Sequence, residues 1–348
     1  MQTRGAAARM RRASLVGLAS AGLLLLAAGG YTAFWFLAAA RLESGLGQIS
    51  QALRPRHLDL SWQSLQVGGF PLALRVDLAG VELRDRAPLA PGVIRLPRLA
   101  ASAAPWNFSV WHLTAPDGLK ISAGGAPPVA MVSADAAAGT LLLPPAGGVR
   151  ARFDLRQPHA DAGVGLAAQH AVLWVILPPH PPRTDTDPAF GLALDARELT
   201  LPALPPPFRN PLDELVLGIT VRGPVPTTPP RAAAATWRDA GGSVDIDHFS
   251  LRSGTLSIAG SGTVALDKNL QPVGAFSVAI EGYPALLAAL VAAGRLRKNA
   301  AKIAGLALAL LAKTGPDGKP EIRTSLSMQH GEMFLGPIAI GPVPRIAW

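Results

Sequence analysis

Three polar residues lie close together in the C-terminal third of the chain and are the first candidates for chemistry. Asp245, Asp247 and His248 are near neighbours, and two carboxylates beside an imidazole can bind a hard or borderline divalent metal. In a β-strand, Asp245 and Asp247 would share one face, because side chains alternate along a strand. Val244 and Ile246 would then lie on the other face. Such alternation is typical of a strand with one solvated face, so we expect a polar surface here and no metal site.

Signatures of the common enzyme classes do not occur in this sequence. It has no phosphate-binding loop, no H-E-x-x-H, no G-x-S-x-G and no S-x-x-K. The segment 163–168 (GVGLAA) imitates a dinucleotide-binding fingerprint, but no βαβ pattern surrounds it, and we interpret it as a loop. A hydrolase would need a nucleophile beside a base, and the histidines available as that base are His57, His112, His159 and His248. The sequence therefore predicts no catalytic residue, no metal ligand and no cofactor.

The net charge of +9 does not indicate a nucleic-acid-binding protein. Four of the 32 basic residues (Arg4, Arg9, Arg11 and Arg12) precede a long apolar run, which leaves 28 against 23 acidic residues in the rest of the chain. Those charges are scattered and form no basic stripe interleaved with aromatic residues. The absence of cysteine excludes a disulfide framework and thiolate chemistry.

An uncharged stretch near the N-terminus predicts a single membrane-spanning helix. Residues 13–40 contain no charged residue, and a helix needs about 20 such residues to cross a bilayer. Under the positive-inside rule, we expect the basic tail 1–12 to be cytoplasmic and the chain from residue 41 to lie outside the cytoplasmic membrane. In a Gram-negative bacterium this membrane is the inner membrane and that space is the periplasm. Tyr31, Trp35 and Phe36 are expected near the outer interface. The alternative is a cleaved signal peptide, whose apolar region, about 7–15 residues, is shorter than this run.

Beyond that helix the chain divides into three parts by composition. Residues 41–177 continue the helix briefly and then, from Leu58, show the period-two pattern of β-strands. Residues 178–242 contain three proline-rich stretches, which predict loops between strands. Residues 243–348 return to strands, interrupted by predicted helices at 283–296 and 299–313. The predicted fold is mainly β: a transmembrane helix, a long antiparallel sheet curled into a groove, and a helical hairpin near 283–313.

Many of these strands have one apolar face and one polar face. With few helices to cover so many strands, the sheet would form a sandwich, a barrel or a groove around an apolar ligand. We expect Arg75 and Asp77 to face water and a groove lining that binds lipid acyl chains, with the late helices covering one end. The alternative is a scaffold that is filled by its own side chains and recruits a protein partner through its sheet edges. The expected lining residues are Leu72, Leu74, Val76, Leu78, Leu256, Ile258, Val264, Leu266, Phe276, Val278 and Ile280.

Two parts of the chain resemble bacterial envelope families. GGYTAFWFLAAARLESGL, GGFPLALRVDLAGVEL and LAASAAPWN resemble the domain of unknown function 2125 family, which has no established activity. The tail, with LSIAGSGTVALDKNLQPVGAFSVAIEGYPALLAALVAAG, a second helix and MFLGPIAIGPVP, is similar to AsmA-like proteins. That second resemblance implies an inner-membrane anchor, a periplasmic sheet curled into an apolar groove, and a role in phospholipid transport or envelope homeostasis. Neither resemblance implies catalytic residues. Because this chain is far shorter than the long AsmA-like proteins that bridge the periplasm, the resemblance implies a short groove or an accessory role.

Overall fold

A computed structural model describes most of the chain. The residues described are 4–86, 91–124, 130–161, 165–202, 204, 206–226, 230–292, 294, 297–314, 320–336, 338–343 and 345–346.

The longest helix contains the predicted membrane segment. Helix α1 (Arg4–Leu53) continues through the uncharged run and ends just before Pro55, where a 3₁₀ turn (Arg54–Arg56) follows. Within the described residues, α1 is the one helix long and apolar enough to cross a membrane. A signal sequence would meet the same criterion of length and composition.

Three shorter helices lie in the C-terminal half of the described chain. Helices α3 (Tyr283–Ala292) and α4 (Lys298–Leu311) contact each other, as predicted for the two late helices. Helix α2 (Pro230–Asp239) lies in a part of the chain that was predicted to contain only strands and loops, and that prediction was wrong. Pro230 is tolerated in the first turn, and the alanines that follow are strong helix formers.

Twenty-one strands in the described residues belong to one antiparallel sheet. Their bounds are β1 (Leu58–Ser61), β2 (Ser64–Gly68), β3 (Leu74–Asp85), β4 (Gly92–Ala104), β5 (Asn107–Ala115), β6 (Leu119–Ala123), β7 (Ala130–Ala134), β8 (Ala136–Leu142), β9 (Val149–Arg156), β10 (His159–Asp161), β11 (Gly165–Ala167), β12 (His170–Leu177), β13 (Pro188–Leu199), β14 (Leu212–Arg222), β15 (Ser243–Ser253), β16 (Leu256–Leu266), β17 (Pro272–Glu281), β18 (Lys313–Thr314), β19 (Pro320–Gln329), β20 (Glu332–Leu335) and β21 (Ile338–Pro342). The segment LDLSWQSLQV, predicted as one strand, is divided into β1 and β2.

The hydrogen-bonded pairs follow the chain closely from one edge of the sheet to the other. Where two strands share a row, they are written with a slash. The order of rows is β1/β2, β3, β4, β5/β6, β8/β7, β9/β10, β12/β11, β13, β14, β15, β16, β17, β19, β20/β18 and β21. Most of the connections join adjacent rows, which is the ordinary preference for elements close in sequence. Among the described strands, no pairing joins the first row to the last.

Four adjacent rows of the sheet are each broken into two strands, and these breaks lie side by side. They fall between β5 and β6, β7 and β8, β9 and β10, and β11 and β12. Hydrogen bonds connect them across the rows: Asp135 N–H donates to the Arg156 carbonyl and Gln157 N–H to the Gln169 carbonyl, both at 3.0 Å. Gly118 and Gln157 have positive φ at these breaks. Irregularities of this kind bend a strand and increase its twist, which favours curvature of the sheet along this line.

The second half of α1 is packed against the start of the sheet. Trp35 and Ala39 form a buried cluster with Leu74 of β3, against which Val67 of β2 also packs. The Trp35 indole Nε1–H donates to the Ala73 carbonyl at 3.0 Å. Further along the helix, the Ser50 hydroxyl donates to the carbonyl of Leu60 at 2.8 Å. Helix α1 is therefore fixed to the first rows of the sheet over much of its C-terminal half.

Candidate ligand-binding face

The predicted lining residues occupy three strands, with one exception. Leu74, Val76 and Leu78 lie on β3, and the others lie on β16 (Leu256, Ile258, Val264 and Leu266) and β17 (Phe276, Val278 and Ile280). The exception is Leu72, which was predicted in the strand but lies in the turn before it and is 72% exposed. The strand begins two residues later than the alternation of apolar residues indicates.

The strand register places these three groups of residues on one face of the sheet. Directly opposed residues of antiparallel neighbours point to the same side, so a chain of such pairs can be followed across the sheet. Each residue in the following series is the paired partner of the next: Val76, Ala101, Leu113, Gly139, Phe153, Leu173, Leu194, Leu217, Phe249, Gly260 and Val278. We call the side of the sheet that carries them the apolar face. At about 4.8 Å between strands, the ten intervals give this face a contour length of about 48 Å.

Phenylalanine rings lie over glycines at several points on the apolar face. A Cβ on Gly139 would lie 2.7 Å from the Phe153 ring, and one on Gly262 would lie 2.5 Å from the Phe276 ring. Gly260 has the same relation to Phe249, at 2.8 Å. The rings thus cover the backbone of the neighbouring strand. A side chain in place of any of these glycines would have to displace the ring. It would also meet a carbonyl oxygen of the neighbouring strand.

The two ends of the apolar face are covered by other segments, whereas the middle is less buried. Helix α1 covers Leu74, and the other end has a buried cluster of Leu256, Val278 and Ile280 against which Phe208 and Tyr283 pack. Between these ends, the central residues Phe153, Leu173, Leu194 and Leu217 are each only half-buried.

The opposite face of the sheet is charged. Arg75 and Asp77, which alternate with the buried residues of β3, form an exposed ion pair with Nε and Oδ2 2.8 Å apart. Arg152 and Asp154 form the same two-residue pair on β9, at 2.6 Å. Exposed pairs of this type are screened by solvent and contribute little to stability. Arg75 and Asp77 are therefore solvated, and the prediction that they face water is confirmed.

Asp245, Asp247 and His248 lie on β15 without forming a metal site. Asp245 accepts hydrogen bonds from the Arg222 guanidinium and, at 2.9 Å, from the Thr263 hydroxyl. The Arg222 hydrogen bond is the main reason why the pKa of Asp245 is lowered. Asp247 accepts from the Thr220 hydroxyl at 2.8 Å and lies at a register shift between β14 and β15. Within the part of the chain that the structure describes, no three His, Asp or Glu residues are grouped to hold a metal ion.

The remaining sequence candidates also belong to the sheet. Gly163 lies outside the described residues, but Gly165–Ala167 form strand β11, so the helix that a dinucleotide fingerprint requires does not begin there.

His112 lies opposite Ser102, and His159 lies opposite Ser133. Sequence reasoning could not bring a histidine beside a serine, because these pairs arise from strand register. The described hydrogen bonds include none within either pair, and both histidines are exposed.

One concave site was missed by sequence reasoning. An open cleft of about 470 Å³ lies between α1 and β5. Its lining comes from both elements: Phe34, Leu37, Ala38, Arg41 and Leu42 on the helix, and Phe108 and Trp111 on β5 with Leu143 from the loop after β8. The only sequence signal was the aromatic content of the two segments, and their proximity depends on how α1 packs on the sheet.

A family model described as an uncharacterized protein conserved in bacteria, domain of unknown function 2125, matches residues 35–344. The chain belongs to this family. Membership in the domain of unknown function 2125 family was predicted from the sequence, and that prediction is confirmed. The matched region begins at Trp35, so the family domain includes the part of α1 that packs against the sheet. No curated protein and no solved structure gave a significant match. The similarity of the tail to AsmA-like proteins stays an expectation.

Proposed function

We propose that this protein is a membrane-anchored, non-enzymatic protein that binds lipid acyl chains, or another apolar ligand, along the apolar face. Its role would be in lipid homeostasis or lipid transport of the bacterial envelope. The observation that carries this proposal is the continuous apolar face that crosses eleven strands and whose middle is only half-buried.

The size of the apolar face supports a ligand more than a closed core. Three alternating residues per strand, such as Leu192, Leu194 and Ala196 on β13, give a width of about 13 Å. With a length of about 48 Å, the face has a footprint of roughly 600 Å², which is large enough for an extended acyl chain to lie on it. An acyl chain that covered its middle would gain about 0.8 kcal/mol for each CH₂ group removed from water.

The proposed location follows from the order of basic and apolar residues at the start of the chain, most of which lie in α1. A basic tail followed by an apolar helix favours a cytoplasmic N-terminus, with the sheet on the outer side of the inner membrane. In that orientation the packing of α1 on β2 and β3 holds the sheet beside the bilayer. The ligand that is most abundant there is phospholipid.

A test is native mass spectrometry of the full chain, released from a mild detergent after purification from bacterial membranes. We expect adducts at phospholipid masses. Leu217→Asp places a carboxylate on the middle of the apolar face, where burial without a partner is costly, and should abolish them. Ser250→Asp is the matched control, because Ser250 lies on the neighbouring strand and faces the other side. Circular dichroism would verify that both variants fold, and Leu194→Asn would replace Leu217→Asp if it does not.

Two results would contradict the proposal. One is wild-type protein without adducts that also takes up no lipid from liposomes. The other is equal loss of adducts in the Leu217 and Ser250 variants, which would separate lipid binding from the apolar face.

A scaffold is the second candidate, and one observation favours it. Among the described strands, β21 pairs only with β20, so its other edge can receive a strand from a protein partner. A protein that carries no lipid in the native mass spectra and is folded by circular dichroism would favour this candidate over lipid binding.

A further inference from the structure

The cleft between α1 and β5 connects two apolar surfaces. Its helix wall includes Phe34, Leu37 and Ala38, which belong to the uncharged run 13–40. Its sheet wall includes Trp111, which is paired with Leu141 and alternates with Leu113, and therefore lies on the apolar face. The cleft is thus continuous with the predicted membrane helix on one side and with the apolar face on the other. Its volume of about 470 Å³ is within the range of ordinary ligand sites.

The length of the apolar run places this cleft at the outer surface of a bilayer. A helix over residues 13–40 is about 42 Å long at 1.5 Å per residue, whereas the hydrocarbon core is about 30 Å thick. The last residues of the run therefore extend past the core if the first residues enter it. These last residues are the ones that line the cleft, and Phe70 and Trp106 are exposed on turns at the same end of the sheet. Exposed aromatic side chains are typical of a membrane interface.

Arg41 supplies a positive charge at this level. It is the first charged residue after the apolar run and lines the cleft. Its side chain is exposed, and among the residues that the structure describes none forms an ion pair with it. A guanidinium can donate two parallel hydrogen bonds to a phosphate. An apolar cleft with a free guanidinium at the headgroup level has the chemistry of a phospholipid site.

We propose that this cleft is the entrance through which one acyl chain of a membrane phospholipid reaches the apolar face, with Arg41 binding the phosphate of its headgroup. This inference rests on the proposed function, because it supplies the route to the same face. Binding would exchange the exposed surfaces of Leu37 and Phe34 for contacts with the acyl chain. The headgroup would stay in water, so only the chain needs to lose its bilayer surroundings.

Photo-crosslinking of the full chain in vesicles of phosphatidylethanolamine and phosphatidylglycerol tests this route. A benzophenone amino acid would replace Leu143 in the cleft, Leu217 on the middle of the apolar face, or His112, which neighbours Trp111 but faces the charged side. We expect phospholipid adducts by mass spectrometry at positions 143 and 217 and none at 112. Arg41→Gln should reduce both adducts, and Arg41→Lys should restore part of them.

The other outcomes separate this inference from the proposed function. Lipid at position 217 but not at 143 would overturn the entrance and leave the lipid-binding face intact. Lipid at 143 but not at 217, or at neither position, would overturn both. A crosslink from position 143 to a second copy of the chain would assign the cleft to an interface between copies and overturn the entrance. Adducts at position 112 equal to those at position 143 would show unselective contact with the bilayer and would also overturn the proposed entrance.

Discussion

Removal of the Trp35 side chain should destabilise the whole sheet, because this residue joins α1 to β3. Trp35 is only 4% exposed and is buried with Leu74 and Ala39. Its ring lies edge-on to Phe70, with centroids 5.5 Å apart, and its Nε1–H donates to Ala73. A buried tryptophan truncated to alanine typically costs about 3–5 kcal/mol. Trp35→Phe keeps most of the packing and loses the hydrogen bond, so it should cost about 1 kcal/mol.

The assay is urea unfolding of the full chain in a mild detergent, followed by circular dichroism of the β-sheet. Ile49→Ala is the control, because Ile49 is on the same helix but 52% exposed, and its change should stay within about 0.5 kcal/mol. A Trp35→Ala protein as stable as the Ile49→Ala protein would contradict the claim that Trp35 stabilises the sheet by joining α1 to β3. If the reasoning holds, a fragment that begins at residue 41 would leave Leu74 uncovered, and lipid binding should be measured on the full chain.

Two further predictions concern the sheet itself. Gly262→Ala should destabilise the protein by about 1–3 kcal/mol, because the added methyl group meets both the Ala275 carbonyl oxygen and the Phe276 ring. Gly68→Ala, with open space around it, is the control in the same unfolding assay, and equal effects would contradict this close packing around Gly262. The lowered pKa of Asp245, caused by Arg222, predicts stability that is present above the unfolded-state pKa of about 3.9 and is lost as the pH falls through the lower folded-state pKa. Asp245→Asn should lose less stability than the wild type between about pH 5 and pH 2; parallel pH profiles of the two proteins would rule out this contribution.

Strand positions could be predicted because alternation is a local property of the chain. In β16 and β17, apolar residues at every second position indicated both the strand and its buried side. In β15 the apolar positions change from even to odd numbers at the register shift between Ile246 and Phe249, which alternation does not predict. The pattern was less accurate at the ends of strands and where a helix lies between two strands. Leu72 continues the alternation but lies in a turn, and helix α2 follows a proline-rich stretch that favoured loops.

The candidate site could be predicted only in part, because it depends both on the residue pattern within each strand and on the pairing of strands that are far apart in the chain. Which side of β3 or β17 is apolar is written in the sequence of each strand. Their common face depends on the register of every intervening pair, and a shift of one residue in any pair would have reversed it. The cleft was not predictable, because Leu37 and Trp111 approach each other only after α1 packs on the sheet.

Three properties follow from the order of residues along the chain: the long apolar helix, the β-rich remainder with one apolar side to most strands, and membership in the domain of unknown function 2125 family. These properties depend on residues close together in the chain, through helical length, alternation and local motifs. The tertiary structure alone decided the continuity of the apolar face, the cover that Trp35 gives to Leu74, and the cleft beside Arg41. Each of these requires segments far apart in sequence to meet, and their meeting is fixed by long-range pairing and packing rather than by any local pattern.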